Sequence, residues 1–81
     1  MERVSGRSDT EAHLKDVGRS IRARRLKLDI SQEALANLAN IDRSHMGKIE
    51  RGERNVTVLN LLKIANALSC LPSDLLAAAG L

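Results

Sequence analysis

The chain has 81 residues, a net charge of +3, no aromatic residue and a single cysteine. This length limits the chain to one small domain, and a single cysteine excludes an internal disulfide bond. The missing aromatic side chains argue against proteins that bind single-stranded nucleic acid by stacking its bases.

Residues 1–9 are mostly polar or charged, so we expect a flexible arm ahead of a domain that spans residues 10–81. The domain opens with a predicted helix that runs to about Leu28 and has an apolar stripe that includes Ile21. Arg25 is the one charged side chain on that stripe. Because a charge on an apolar face needs a partner, Arg25 predicts an ion pair with another helix.

A second and a third short helix are predicted over residues 32–38 and 43–51, joined by a tight turn. Ser31 is a good N-cap for the second helix, and Asp42 can cap the third. Asn40 lies at the turn, where it tolerates a left-handed backbone better than any residue except glycine. This pattern is typical of a helix-turn-helix, whose second helix enters the major groove of DNA.

The third helix has an inner and an outer face. Met46 and Ile49 are spaced to point inward, so the opposite face is polar and basic. Gly47, which costs helix stability, predicts a close approach to DNA or to the second helix. Arginine and lysine suit guanine, serine can bond to any base, and histidine can donate or accept. The predicted base contacts are therefore Arg43, Ser44, His45 and Lys48.

Glu50 is turned partly toward the core, because it lies four residues after Met46 and next to Ile49. A carboxylate there needs a buried partner, and Arg25 is the obvious one. We predict an Arg25–Glu50 ion pair that pins the first helix to the third, with a structural and not a catalytic role.

Side chains at the edges of the two short helices are candidates for phosphate contacts, which position a protein on DNA without reading its sequence. Gln32 opens the second helix, where free backbone N–H groups favour an anion. The predicted set is Gln32, Arg22, Arg51, Arg54 and Asn55.

Two further helices complete an all-α prediction of five. Thr57 is a plausible N-cap for a fourth helix over residues 58–68, and Pro72 suits the first turn of a fifth that runs to about Gly80. The fourth should be the most buried helix. Its narrow polar strip consists of Asn60, Lys63 and Asn66.

Charge is unevenly distributed along the chain. Residues 1–54 hold 12 of the 13 lysines and arginines, whereas residues 55–81 carry only Lys63 and Asp74 as charges. The basic front suits phosphates, and the neutral, leucine-rich back suits a second copy of the chain. The predicted dimer interface consists of Leu71, Leu75, Leu76 and Leu81.

Several other classes of function find no support in the sequence. Cys70, His13 and His45 are too far apart to suggest a metal site, and we expect neither a cofactor nor a small-molecule ligand. No nucleophile–base pair indicates an enzyme. No apolar run approaches the ~18 residues of a membrane span, so we expect a cytoplasmic location.

The residues described above resemble the lambda-repressor-like (Cro/cI, Xre) helix-turn-helix family. The resemblance rests on Arg25, on the run ISQEALA at 30–36 and on the run IERGERN at 49–55. It implies a five-helix domain that binds palindromic operators as a dimer, with base contacts from the third helix. The runs at 43–47 and 50–55 are most similar to restriction–modification controller proteins within that family.

The chain departs from the family pattern at four positions. Asp29 and Asn40 stand where glycine is usual, and both residue types can adopt left-handed geometry. Arg24 occupies a position that is often leucine, which predicts weaker packing there. Leu71 replaces the usual N-cap of the fifth helix, which leaves the start of that helix open.

Our functional hypothesis is a sequence-specific regulator of transcription that binds double-stranded DNA as a homodimer on an inverted repeat. RNA polymerase is a further candidate partner. The alternative is a protein-interaction module of the same fold, such as an antitoxin or a bridging factor, that works through the apolar C-terminal face.

Overall fold

The computed structural model describes residues 7–81 and, from residue 11 onward, their side chains. This part of the chain contains no strand, which confirms the predicted all-α class with five helices. The first helix starts at Arg7, earlier than predicted, and the rest of the predicted arm, residues 1–6, lies outside the described residues. The helices are α1 (Arg7–Lys27), α2 (Gln32–Ala39), α3 (Arg43–Glu50), α4 (Val58–Ala67) and α5 (Pro72–Ala78).

Local hydrogen bonds set the helix boundaries. The Ser31 side chain accepts a hydrogen bond from the Ala34 N–H at 2.9 Å, and Thr57 accepts one from Asn60 at 3.0 Å. Both predicted N-caps are thereby confirmed. Asn40 ends α2 with φ 55° and ψ 48°, the left-handed geometry predicted for the turn.

The start of α5 uses a different device. Leu71 has no side chain that can accept a hydrogen bond, but the Asp74 carboxylate accepts one from the Leu71 N–H at 2.9 Å. Asp74 is also well placed to interact with the positive end of the helix dipole. The absent N-cap side chain is therefore offset by a carboxylate in the first turn.

One apolar core joins all five helices. Ile21 of α1, Leu35 of α2 and Met46 of α3 are fully buried in it, and the complete set is Val17, Ile21, Leu35, Ala36, Ala39, Met46, Ile49, Leu61, Ile64, Ala65, Leu68 and Leu75. The apolar spacing along the first and second helices predicts that Leu28 and Leu38 face inward, and this prediction was wrong. Leu28 lies beyond the end of α1 and Leu38 lies on the outer face of α2, so both are exposed.

The α1 and α3 backbones touch at Gly18. A Cβ atom at this position would lie 2.6 Å from the Ile49 carbonyl oxygen and would also clash with the Glu50 carbonyl. Glycine is therefore required here because backbone, which cannot move aside, lies where a side chain would begin.

Two predictions for α4 were wrong. It is not the most buried helix, because three of its ten residues are buried, compared with four of the eight in α3. Leu61, Ile64 and Ala65 are buried, as expected for one face. The opposite face is not a polar strip, because Asn60 and Lys63 are half-buried while large apolar side chains face outward. This α4 face consists of Val58, Leu59 and Leu62, which are exposed by 75%, 62% and 48%.

Arg24, which occupies a position where leucine is usual, makes polar contacts with the C-cap of α4 and with the residue after it. Its Nε donates a hydrogen bond to the Leu68 carbonyl at 3.4 Å, and its NH2 group donates one to the Ser69 carbonyl at 3.3 Å. These carbonyls lie at the C-terminal end of α4, where a cation is favoured by the helix dipole. The guanidinium therefore ties α1 to α4.

The predicted dimer interface is also corrected. Leu75 belongs to the core with 2% of its surface exposed, and the Ser20 hydroxyl donates to its carbonyl at 2.8 Å. Leu76 is half-buried against the core. Only Leu71 and Leu81 of the predicted set are exposed large side chains.

Within residues 7–81, no single helix is long and apolar enough to span a membrane. The helices α4 and α5 are long and apolar enough for a membrane span only when taken together, and a bend of 96° separates them. No group of three or more histidine, cysteine or acidic side chains within these residues is arranged to hold a metal ion.

Candidate nucleic-acid interface

The first turn of α3 is built around the Asp42 carboxylate. Its Oδ2 accepts hydrogen bonds from the backbone N–H groups of Ser44 and His45 at 3.1 Å and 3.3 Å, and from the Ser44 hydroxyl at 2.6 Å. The hydroxyl bond foremost, followed by the His45 N–H, lowers the pKa of Asp42 below its ordinary value. Asp42 is thus the N-cap of α3, as predicted, and it also fixes the Ser44 side chain.

A shallow depression lies where α2 meets α3, and it gathers most of the predicted contact residues. Arg43, Ser44 and Lys48 come from the outer face of α3, and Gln32 comes from the start of α2. The complete lining is Gln32, Asp42, Arg43, Ser44, Gly47, Lys48 and Arg51. Three of the four predicted base contacts therefore share one concave surface with two predicted phosphate contacts.

Two cations on this surface are free to meet a ligand. Arg43 is exposed and Lys48 is half-buried, and neither side chain takes part in a hydrogen bond or ion pair within the described residues. His45 is half-buried beside them but does not line the depression. Within the part of the chain that the structure describes, the basic groups that could bond to guanine thus have no hydrogen-bonded partner.

Behind the depression lies the predicted ion pair between α1 and α3. Arg25 Nε donates to Glu50 Oε2 at 2.8 Å, and its NH2 group donates to Glu50 Oε1 at 3.1 Å. The NH1 group donates to the Ile30 carbonyl at 3.0 Å. Both charged side chains are buried, and burying an unpaired charge is costly. The bidentate pair and the additional bond to Ile30 offset that cost.

Gln32 is attached to the same pair. Its Nε2 donates to Glu50 Oε1 at 3.1 Å, so the side chain is held at the edge of the depression by a residue of α3. An amide nitrogen carries two hydrogens, and the second remains available to a phosphate oxygen. The buried ion pair therefore orients one of the predicted phosphate contacts.

Arg51 has an internal partner that the sequence analysis did not anticipate. Its Nε donates to Glu53 Oε2 at 2.8 Å, and both side chains are exposed. This hydrogen bond raises the pKa of Arg51 and lowers the pKa of Glu53. A phosphate must therefore compete with a carboxylate for this guanidinium.

Gly47 permits a close approach to α2. A Cβ atom there would lie 3.1 Å from Arg51 NH1 and 3.2 Å from Gln32 Oε1, which are the ends of two flexible side chains. The sequence predicted that Gly47 allows a close approach either to DNA or to α2. The structure shows the close approach to α2.

The remaining predicted phosphate contacts lie elsewhere. Arg54 and Asn55 are exposed in the loop after α3. Arg22 is exposed on α1 and lines a separate groove against α5, so the structure does not bring it to the depression.

The contacts missed by sequence reasoning join residues through a turn or across two helices. The pairs Asp42–Ser44 and Arg51–Glu53 are two residues apart, a spacing that carries no helical-face signal. The Gln32–Glu50 bond spans 18 residues and depends on how α2 packs on α3. Of these contacts, only the one between Asp42 and Ser44 had a signal in the sequence, namely a serine two residues after an N-cap aspartate.

Comparison with known proteins shows that the chain is similar to members of one family. The profile of the helix-turn-helix family matches residues 21–75. Control protein C.BamHI of Bacillus amyloliquefaciens is 45% identical over 60 residues, which cover 73% of this chain and 74% of that protein. Control protein C.MunI of Mycoplasma sp is 42% identical over 52 residues, covering 64% and 70%.

The crystal structure of the restriction-modification controller protein C.AhdI from Aeromonas hydrophila has the same fold. It superposes with a TM-score of 0.78 at 45% sequence identity, covering 79% of this chain and 97% of that one. The match therefore spans nearly the whole of a protein whose name states its role in control.

Proposed function

This chain belongs to the helix-turn-helix family of transcriptional regulators, and from that premise we propose that it acts as a restriction–modification controller that binds an inverted-repeat operator. The observation that carries the proposal is the α2–α3 depression, where Arg43, Ser44 and Lys48 present polar groups on one exposed helix face. A helix of this kind fits the major groove, and its side chains match the donor and acceptor pattern of the bases.

We assign the base contacts to Arg43, Ser44 and Lys48, with His45 beside them. The phosphate contacts fall to Gln32, Arg51, Arg54 and Asn55, because these lie at the edges of α2 and α3. Arg22 is omitted because it faces the groove between α1 and α5. Phosphate contacts of this type fix the register of the protein on the duplex.

We further propose a homodimer formed through the α4 face together with Leu71. Side chains exposed singly are ordinary, but several large ones on one face mark an interaction surface. Leu71 adjoins α4, since it lines one small depression with Asn66. A two-fold dimer would place its α3 helices about 34 Å apart, which requires an inverted repeat in the operator.

The alternative predicted from the sequence, a protein-interaction module, is less well supported because the matched relatives are control proteins. Because the matched relatives are control proteins, we propose a regulator and not an enzyme. A regulator of this kind would work in the cytoplasm, where RNA polymerase is a candidate contact.

The experiment that tests the proposal is selection of duplexes from a random library at near-physiological salt. We expect an enriched inverted repeat for the wild-type protein. Arg43→Ala and Lys48→Ala should each weaken binding to that repeat by roughly 10- to 100-fold, the range of a good contact to a base. Binding should also fall steeply as salt increases.

Lys27→Ala is the matched control, because it removes one exposed cation from α1 without touching the depression. We expect it to bind the selected repeat within about two-fold of wild type. Weak binding of all sequences alike, unchanged by Arg43→Ala, would contradict the proposed function.

A further inference from the structure

Ser44 occupies a position from which it could meet a base edge. It is exposed, it lies in the first turn of α3, and it lines the α2–α3 depression. A serine hydroxyl can ordinarily both donate and accept a hydrogen bond, because its proton rotates to suit the partner. A free hydroxyl therefore discriminates poorly between the bases.

In this protein the hydroxyl proton already has a partner. The Ser44 Oγ donates to Asp42 Oδ2 at 2.6 Å, within the range of strong hydrogen bonds to a charged acceptor. Asp42 is ionised at neutral pH, since its pKa is lowered by that bond and by the backbone N–H of His45. The only capacity left on Ser44 Oγ is that of its lone pairs, which accept.

We propose that Asp42 makes Ser44 an acceptor-only reader, so that each half-site carries adenine or cytosine on the strand that faces Ser44. In the major groove, adenine N6 and cytosine N4 offer donors, whereas guanine O6 and N7 and thymine O4 offer only acceptors. Asp42 is then a positioning residue that sets specificity without touching DNA. The inference rests on the proposed function.

Two variants separate this proposal from a simple contact. Ser44→Ala removes the acceptor, so the preference for an amino-bearing base at one position per half-site should fall from roughly five-fold to near one, as for one lost hydrogen bond. Asp42→Gly keeps a tolerable N-cap, which is only slightly less stable, and frees the hydroxyl to donate. That variant should accept guanine or thymine at the same position within about two-fold.

The test is duplex selection with the full chain for wild type, Ser44→Ala and Asp42→Gly, with thermal unfolding to show that each variant folds. Ser73→Ala is the matched control, because it removes the hydroxyl of an exposed serine in α5. It should leave every base preference unchanged. Ser44→Thr keeps the hydroxyl and should keep the wild-type preference.

The outcomes distinguish this inference from the proposed function. If wild type enriches no sequence, the proposed function fails, and the inference fails with it. If wild type enriches a repeat but Ser44→Ala relaxes no position of that repeat, the inference alone is overturned. An unchanged preference in a folded Asp42→Gly variant also overturns it.

Discussion

At the scale of single residues, the buried ion pair is the feature with the largest expected effect on stability. Arg25 and Glu50 are buried, and Arg25 also donates to the Ile30 carbonyl while Glu50 accepts from Gln32. A buried charge left without its partner is far more costly than the pair is favourable. Removing only one of the two charges should therefore destabilise the protein strongly, whereas replacing both should cost less than the two single losses added together.

We expect Glu50→Ala to lower the free energy of unfolding by about 3–5 kcal/mol, because Arg25 would remain buried without a counter-charge. The double variant Arg25→Met with Glu50→Leu should lose less than the sum of the two single changes. Urea unfolding followed by circular dichroism measures both. A loss below about 1 kcal/mol for Glu50→Ala would show that the pair is not the constraint described.

The second prediction at this scale concerns pH. The pKa of Asp42 is lowered in the folded protein, chiefly by the Ser44 hydroxyl, so its ionised form stabilises the fold. Stability from a lowered folded-state pKa is present above the unfolded value of about 3.9 and is lost as pH falls through the folded value.

Asp42→Asn replaces this cap with one that does not titrate but caps about as well. We expect the stability of wild type relative to Asp42→Asn to be constant from about pH 7 to pH 5 and to decline below about pH 4. Urea unfolding at several pH values measures this difference. A difference that stays flat down to about pH 3 would contradict the assignment.

At the scale of helices, two glycines within helices have opposite environments. At Gly18 a Cβ atom would meet the backbone of α3, and at Gly47 it would meet only the ends of the Arg51 and Gln32 side chains. Backbone in a packed pair of helices cannot move aside, whereas flexible side chains can.

We therefore expect the same substitution to have opposite signs. Gly18→Ala should destabilise the protein by about 3 kcal/mol through forced separation of α1 from α3. Gly47→Ala should be neutral or stabilising by up to about 1 kcal/mol, because alanine favours the helix. Thermal and urea unfolding of the two variants measures these changes in stability. Equal losses of stability for both variants would contradict the difference between the two glycines.

At the scale of the whole molecule, the basic and the apolar surfaces lie on different elements. The α2–α3 depression carries the basic side chains of Arg43 and Lys48, and the α4 face with Leu71 carries large exposed apolar side chains. A second copy of the chain is the partner that would cover these apolar side chains while leaving both α3 helices open to DNA.

We expect Leu59→Glu and Leu71→Glu to weaken the dimer at least ~10-fold while leaving the monomer folded, since both side chains are exposed. Leu28→Glu, at an exposed leucine beyond the end of α1, is the control and should leave the dimer intact. Sedimentation measures all three. Leu75→Asp should instead unfold the chain, because Leu75 is in the core. Unaltered sedimentation of the first two variants would exclude this interface.

The sequence by itself determined the features that depend on close neighbours in the chain. The caps Ser31, Asp42 and Thr57 and the left-handed Asn40 were predictable because each involves hydrogen bonds or dihedral angles within a few residues. The partners Arg25 and Glu50 were also predictable, although 25 residues apart, because each charge stood on an apolar stripe.

Only the tertiary structure decided which of several similar side chains meets which surface. Leu71 and Leu75 are identical in chemistry, and the packing of α5 against α1 buries one and exposes the other. The bond from Gln32 to Glu50 likewise depends on how α2 packs on α3, and the capping of α4 by Arg24 requires two helices distant in sequence to meet. Periodicity gives the faces of a helix, but the partner that covers a face depends on how all five helices pack together.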